Sequence, residues 1–367
     1  MITTTVYDKA FVRIGFVNDP EAVTIIPRHN DVGQAKLTLP LDHPKAPLLL
    51  QPGARAVFEE DGEFRLSGPV RAIDAEGPSS EGTITFTFDD DLRELKNILG
   101  WPVPAAALSA QTVEFYTITG PAETVLKDLV SKNGVTRLGK PITVAPNLGR
   151  GATITVKARF EPLFDTLMPV LGGAGIGVTI RQSGSGLVLD CYQPTTYPLE
   201  LSEESGIITN YSWSYTPPTA TDVVVGGQGD GADRVFLKFQ DTARTADQGE
   251  RIEVFRDATD ADTPALFQER ANETLTENAA KPGVRIEMSE TSNFRYGGDR
   301  FNVGDKVRVR IGPGLIVEDV LREATITWTH ADGKTTVPAI GESNTPEQKL
   351  AGGLKNLAKG LRKLRSR

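Results

Sequence analysis

The feature that most constrains the fold of this chain is a series of short strands with alternating hydrophobicity, separated by turn residues. In the run TITFTF, Ile84, Phe86 and Phe88 alternate with threonines, a period of two that predicts a strand with one buried face. Comparable runs over residues 1–110 are interrupted by Gly, Pro, Asp and Asn, which is typical of an antiparallel barrel or sandwich. This region is predicted to be an N-terminal β-domain.

Residues 111–200 have a different pattern, in which two helices alternate with β-rich runs. The helices are predicted to begin at Pro121 and Pro162, because proline is favoured in a first helical turn and apolar residues follow at helical spacing. Pro169 is expected to kink or shorten the second helix. We interpret this region as a small α/β insertion domain between β-rich parts.

Strands return over residues 201–335, with one further helix predicted from Pro264 to about residue 280. In the run KVRVRIG, the side chains of Val307, Val309 and Ile311 are expected to face inward. The predicted fold class is therefore mainly β with an α/β insertion, that is, an α+β protein.

The C-terminal segment, residues 346–367, follows a polar linker predicted over residues 336–345. Its leucines recur with the spacing 4-3-4-3, which predicts a basic amphipathic helix with a heptad seam. Internal glycines each cost about 1 kcal/mol relative to alanine, so we expect this helix to fold only against a partner. The predicted partner-binding residues are Leu350, Leu354, Leu357, Leu361 and Leu364 on the seam, with Lys355, Lys359, Arg362 and Lys363 around it.

The net charge is unevenly distributed along the sequence. The whole chain carries −8, whereas residues 346–367 hold seven basic residues and one acid, which leaves −14 on residues 1–345. An acidic body repels nucleic acid, while the basic segment attracts it. Because no apolar run approaches the ~20 residues that cross a bilayer, we expect no integral membrane association. The N-terminus does not resemble an export signal, so the protein is expected to stay where it is made.

Residues suited to catalysis or metal binding are sparse. The three histidines, His29, His43 and His330, form no pair with metal-ligand spacing and are expected at the surface or in loops. The single cysteine, Cys191, lies in an apolar run and is expected to be buried and inert. The run GGAGIG precedes a strand, whereas a phosphate-binding loop precedes a helix. No catalytic residue, cofactor or metal site is predicted.

Four segments, taken in chain order, carry a resemblance to a known family: KLTLPLDHPKAPLLLQPGARAVFEEDGEFRLSGPVRAI, GLVLDCYQP, SWSYTPPTATDVVVGGQGDGADRVF and FRYGGDRFNVGDKVRVRIG. Together they resemble the minor tail proteins that form the tail-tip hub of long-tailed bacteriophages, best known among phages of actinobacterial hosts. The resemblance covers most of the chain up to about residue 330, and the basic C-terminal segment lies outside it.

The resemblance implies a structural protein of the virion without enzymatic activity, located at the tail tip and assembled in the host cytoplasm. It implies a homotrimer whose subunits each contribute two tube-like antiparallel β-barrel domains, so that three subunits continue the sixfold tail tube with the α/β insertion outside. The implied neighbours are the distal tail protein, the tape-measure protein, and tail fibres or other minor tail proteins. DNA would only pass through the lumen.

Two other functions stay open from the sequence. A cell-wall-degrading enzyme has little support, since no nucleophile or metal motif is present and no segment of about 100 residues is left for a catalytic domain. A carbohydrate-binding module would use aromatic rings, and aromatic residues make up only 7% of the chain. For the C-terminal helix, a three-stranded bundle, the tape-measure protein, DNA and a membrane surface all fit a basic heptad.

Overall fold

The computed structural model of the protein describes residues 2–78, 81–204, 206, 208–229, 231–288, 296–297, 301–312 and 315–341. The chain divides into two compact units. The first contains Met1–Tyr211 and Arg285–Ile340, and the second contains Ser212–Val284. This division does not test the predicted boundaries near residues 110 and 200, which stay predictions.

Strands dominate the described part of the chain, and the mainly β class predicted from the sequence is confirmed. The strands are β1 Ile2–Tyr7, β2 Arg13–Val17, β3 Ala22–Ile26, β4 Gln34–Pro40, β5 Arg55–Glu60, β6 Glu63–Glu76, β7 Thr83–Asp89, β8 Tyr116–Pro121, β9 Ile142–Val144, β10 Thr153–Ala158, β11 Gly177–Ser183, β12 Gly186–Tyr192, β13 Thr196–Ser202, β14 Ile208–Thr216, β15 Asp222–Gly226, β16 Phe236–Gln240, β17 Glu253–Asp257, β18 Lys281–Met288, β19 Lys306–Ile311, β20 Leu315–Thr329 and β21 Gly333–Gly341.

Helices are short and fewer. The α-helices are α1 Ala46–Leu49, α2 Ala122–Val130, α3 Leu163–Gly173, α4 Thr242–Gln248 and α5 Pro264–Glu277. Short 3₁₀-helices lie at Asp91–Asn97, Leu108–Ala110 and Gly231–Asp233, and a π-helical stretch, Ser131–Arg137, continues α2. Within the described residues, no helix has the length and apolar character needed to span a membrane.

The largest sheet has 13 strands. It contains two long strands, β6 and β20, and each of them pairs with different strands along its two halves. Its order is β14-β18-β21-β20-β3-β4-β7-β6-β5-β1-β2, and β19 pairs with both β20 and β13. Strand β6 pairs with β5 over residues 63–69 and with β7 over residues 70–76. Strand β20 pairs with β19 over residues 315–320 and with β21 over residues 321–329. Among the described strands this pairing follows an open path and forms no closed barrel.

The clearest sequence patterns produce the predicted burial. Ile84, Phe86 and Phe88 in β7 are buried, and they pair in register with residues of β4. In β19, Val307, Val309 and Ile311 are likewise buried, while Lys306 and Arg308 are exposed. In both strands the period of two therefore identifies the face that packs on the core.

The α/β part of the first unit is built around α2 and α3, as predicted. The two helices share one apolar cluster with β8–β12, which contains Val125, Leu126, Leu129, Leu167 and Leu171 at its centre. Pro169 lies inside α3 and the helix continues to Gly173, so of the two expected effects, a kink or a shortening, the shortening does not occur. Burial of Leu167 and Leu171 on either side of the proline holds this turn in place.

In the second unit, α5 packs on one face of the three-stranded sheet β16-β15-β17. Its predicted start at Pro264 is confirmed, and the Thr263 side chain accepts a hydrogen bond from the Leu266 backbone N–H as the N-cap. The core between helix and sheet contains Val223, Val225 and Phe267.

The linker predicted over residues 336–345 is wrong as far as Gly341, because this stretch belongs to strand β21. This strand pairs with β20, and Thr336, Ala339 and Ile340 are buried. The surrounding sequence is polar and does not indicate that these residues are buried. The helix predicted over residues 346–367 lies outside the described residues.

Candidate functional site

The residues predicted to contact a partner all lie beyond the described part of the chain. They are Leu350, Leu354, Leu357, Leu361, Leu364, Lys355, Lys359, Arg362 and Lys363. Their role stays a prediction, and a functional site has to be sought among the residues that the structure describes.

Histidine and cysteine form no reactive centre in the described residues. All three histidines lie in loops or turns, as expected, but His29 and His43 are buried there and His330 is exposed. His29 Nδ1 lies 2.8 Å from the Tyr192 hydroxyl, and burial together with the charge of Arg322 lowers the His29 pKa to about 4. No group of three or more potential metal ligands is found in this part of the chain.

The environment of Cys191 matches the prediction that it is buried and inert. The side chain is 3% exposed and belongs to the α/β core. Burial raises the pKa of its thiol to about 12, so the reactive thiolate is suppressed near neutral pH. The nearby GGAGIG run is a helix end and turn, as predicted, since α3 ends at Gly173 and β11 begins at Gly177.

A buried ionic cluster joins strands β5 and β6 to the α/β part of the first unit. The Arg55 Nη2 atom donates to both carboxylate oxygens of Asp91 at 2.7 Å, and the Ser67 hydroxyl donates to Asp91 at 2.6 Å. Gln182 on β11 completes the cluster, because its side-chain oxygen accepts from Arg55 Nε and its backbone N–H donates to Ser67. Burial raises the Asp91 pKa to about 6, although Arg55 and Ser67 favour the charged form.

A second contact fixes the same two regions of the first unit. The Asn30 side chain donates to the Ile176 carbonyl at 2.9 Å and accepts from the Val178 backbone N–H at 3.0 Å. Together with the Arg55 cluster, this contact holds β11 against the loops and strands of the β-rich part. The α/β region is therefore a fixed attachment and not a domain on a free linker.

A third buried group of charges joins strands that are distant in sequence. Glu60 on β5 is 1% exposed and pairs with both Arg65 on β6 and Lys334 on β21. Burial alone would raise the pKa of Glu60, but hydrogen bonds from Lys334 and Arg65 hold it below its usual value. The Arg65 guanidinium also lies 5.3 Å from the centre of the Tyr296 ring. N-terminal and C-terminal strands are thus connected through one interior carboxylate.

The second unit instead presents aromatic rings to solvent on the sheet face opposite α5. Phe236 on β16 and Phe255 on β17 are 51% and 57% exposed, and their ring centres are 6.3 Å apart. The Arg234 guanidinium lies 5.5 Å and 5.8 Å from these rings, donates to the Gly226 carbonyl, and pairs with Asp257. Exposed apolar groups held in place by such contacts are typical of interaction surfaces.

Gly226 lies beneath this aromatic pair and leaves room for it. A Cβ atom at this position would lie 2.8 Å from the Phe255 ring and 2.9 Å from the Arg234 guanidinium. The sequence predicts a strand at RVFLKFQ, but it does not indicate that Phe236 is exposed. The one sequence signal for this exposure is the unbroken apolar run VFL. Successive residues of a strand face opposite sides of the sheet, and α5 covers only one side, so an apolar side chain on the other side is exposed.

The comparisons with known proteins agree with the predicted resemblance. The sequence matches the family of Siphovirus ReqiPepy6 Gp37-like proteins over residues 3–342, and no curated protein matches it. The fold is similar to that of a tail protein from Neisseria meningitidis MC58, with 13% identity, 93% of this chain and 97% of that chain covered, and a TM-score of 0.61.

Two prophage tail proteins have similar folds. The 43 kDa tail protein of prophage MuSo2 from Shewanella oneidensis has 13% identity and a TM-score of 0.59, with coverage of 92% of this chain and 97% of that chain. Tail protein gp18 from a Listeria monocytogenes EGD-e prophage has 11% identity and a TM-score of 0.55, with coverage of 98% and 99%. At these identities the likeness shows a common fold. The family match over nearly the whole length shows that the chain belongs to the Siphovirus ReqiPepy6 Gp37-like family.

Proposed function

We propose that the protein is the homotrimeric hub at the tip of the phage tail, where three copies continue the tail tube as a pseudo-hexameric ring. The observation that carries this proposal is the division of β6 and β20 between two groups of partner strands. Two strands per chain that are each divided in this way support two tube-like β-domains per subunit. Three subunits would then supply six such domains around one axis.

Strand edges in the first unit support assembly into a ring. Among the described strands, β2 pairs only with β1, and β13 pairs only with β19. Exposed edges carry unpaired backbone N–H and C=O groups, and proteins cover such edges to avoid uncontrolled association. Pairing with a neighbouring copy would satisfy these groups, and the buried ionic clusters would keep each subunit in one shape during assembly.

The proposed ring connects the distal tail protein to fibres or other minor tail proteins, and its lumen passes the tape-measure protein and then DNA. The charge of −14 on residues 1–345 supports a passage that repels phosphate and does not retain DNA. The role is structural and requires no catalytic group. Its place is the tail tip of the virion, with assembly in the host cytoplasm.

Electron cryomicroscopy of the intact virion tests the hub directly. Three copies of this chain around the axis of the tail tip, with the two β-regions of each copy lining the tube, are expected. A peripheral location away from the axis would contradict the proposal. So would a stable monomer that hydrolyses purified host cell wall.

Carbohydrate binding at the tail tip is the second candidate, and one observation favours it. Trp213 and Tyr215, two residues apart on β14 and therefore on the same strand face, are 57% and 50% exposed. Paired exposed rings suit stacking on sugar faces. The test is binding of purified host glycans by the wild type and by Trp213→Ala. Loss of binding in the variant would support this candidate, whereas equal binding by the wild type and the variant would exclude this site.

A further inference from the structure

The second unit contains an apolar groove next to its edge strand β16. The groove has a volume of about 520 Å³ and lies between this strand and the start of α5. Its apolar lining is formed by Val235, Leu237, Ala261, Pro264 and Phe267. Val235 is 50% exposed and Leu237 is 37% exposed, so the groove leaves apolar surface in contact with solvent. This size is within the range of sites that hold a ligand or an inserted segment.

The charge around the groove indicates a basic occupant. Residues 212–284 contain 13 acidic and 7 basic side chains, a net charge of −6. Asp262 lines the groove and is exposed, and the exposed Asp233 lies two residues before Val235. An occupant that is apolar on one side and basic around it would therefore match both the lining and the charge.

We propose that the C-terminal segment, residues 346–367, docks into this groove of the same chain as an amphipathic helix. The leucine seam from Leu350 to Leu364 needs an apolar surface, and the segment carries +6 against the −6 of the second unit. Internal glycines make the helix unstable alone, so it forms on contact with the groove. This docking is independent of the trimeric hub and can hold or fail without it.

Covalent attachment favours the same chain as the source of the segment. The described residues end at Gly341, and the eight residues 342–349 extend up to about 29 Å before the seam begins. Tethering within one chain gives an effective concentration on the order of millimolar at any site within this span. A groove that leaves Val235 and Leu237 partly exposed is then sufficient to hold it.

Chemical crosslinking of the full-length protein tests which surfaces meet. A carbodiimide joins a lysine amine to a carboxylate only when the two groups are in direct contact. We expect crosslinks from Lys355 or Lys359 to Asp262 or Asp233 in the monomer band of a denaturing gel, identified by mass spectrometry. Crosslinks confined to covalent dimers and trimers, or confined to acids outside residues 212–284, would overturn the proposal.

Limited digestion with trypsin measures how strongly the segment is held. In the full-length double variant Val235→Ser/Leu237→Ser, the sites at Lys355 and Lys359 should be cleaved about tenfold faster than in the wild type, and 1 M salt should also accelerate cleavage. Both substituted side chains are already half-exposed, so the unit is expected to stay folded. Circular dichroism and the digestion rate elsewhere in the chain verify this.

Phe236→Ser is the matched control, since Phe236 lies on the same strand but faces away from the groove. This variant should leave the cleavage rate at Lys355 and Lys359 unchanged. Equal rates in the wild type and in the groove variant would overturn the proposal. Acceleration by Phe236→Ser alone would place the segment on the opposite face and would overturn it as well.

Discussion

The first unit contains ion pairs that are buried at both ends, whereas each ion pair described in the second unit has at least one member that is 30% or more exposed. In the first unit, the side chains of Arg55 and Asp91 are 8% and 2% exposed, and those of Lys127 and Glu123 are 5% and 0% exposed. In the second unit, Lys238 and Glu253 form a pair that is 46% and 57% exposed. A buried pair fixes the geometry of the groups around it, whereas an exposed pair is screened by water and contributes little.

The first unit also has a larger apolar core than the second. In the first unit, α2 and α3 share a large apolar cluster with five strands, and buried polar links join this cluster to the main sheet. In the second unit, one helix covers one face of three strands, and the other face exposes Phe236 and Phe255. This contrast indicates that the first unit provides a fixed scaffold and the second unit provides surfaces for contact.

The largest effect is expected from removing one member of the buried cluster in the first unit. Asp91→Ala leaves the buried Arg55 guanidinium without its carboxylate, and we expect a loss of about 3–5 kcal/mol in the free energy of unfolding. Urea denaturation of the purified protein, followed by tryptophan fluorescence, measures this loss. Hydrogen exchange should increase in β5, β6 and β11. A loss below about 1 kcal/mol would contradict the scaffold role of the cluster.

A slightly smaller effect is expected in the core of the second unit. Phe267→Ala removes the ring that packs on Val223 and Val225, and the cavity should cost about 3 kcal/mol. Hydrogen exchange read by mass spectrometry is expected to increase over residues 212–284 and to stay unchanged in β3–β7. Equal acceleration in both regions would show that the units unfold together and would remove the basis of the comparison.

Local patterns in the sequence are sufficient to predict the helices and strands that bury one face. The alternation in β7 and β19 and the proline and cap residues of α5 predict these elements, because each pattern is contained within a few neighbouring residues. Helix α4 is missed since it has caps at Asp241 and Gly249 but no apolar stripe.

The side-chain contacts that hold the first unit together cannot be predicted from such local patterns. Arg55 meets Gln182 across 127 positions in sequence, and His29 meets Tyr192 across 163. Nothing near either residue indicates its partner, so burial of His29 could not be predicted. The exposed Phe236 is missed for the opposite reason: the pattern predicts a strand, but only the fold determines which of its faces is covered.

An intermediate effect is expected when the pH is lowered. Burial keeps His29 neutral in the folded protein down to about pH 4, whereas the unfolded chain takes up a proton near pH 6.5. The stability that depends on this difference is present above pH 6.5 and is lost as the pH falls, by about 2 kcal/mol at pH 5. The change in unfolding free energy between pH 7 and pH 5 should therefore be about 2 kcal/mol smaller in His29→Gln. The exposed His330 provides the control, and an equal change in His330→Gln would contradict this assignment.

The smallest effect is expected at the exposed pair of the second unit. Glu253→Ala removes one partner of Lys238, but this lysine also lies 3.6 Å from Asp222 and both members of the pair are solvated. The loss in unfolding free energy should stay below about 1 kcal/mol, measured by the same urea titration as for Asp91→Ala. The two variants each remove one carboxylate from a cation, so the difference between them isolates the effect of burial. A loss as large as that of Asp91→Ala would mean that the second unit also depends on its ion pairs for rigidity. The second unit would then be a scaffold, as the first unit is.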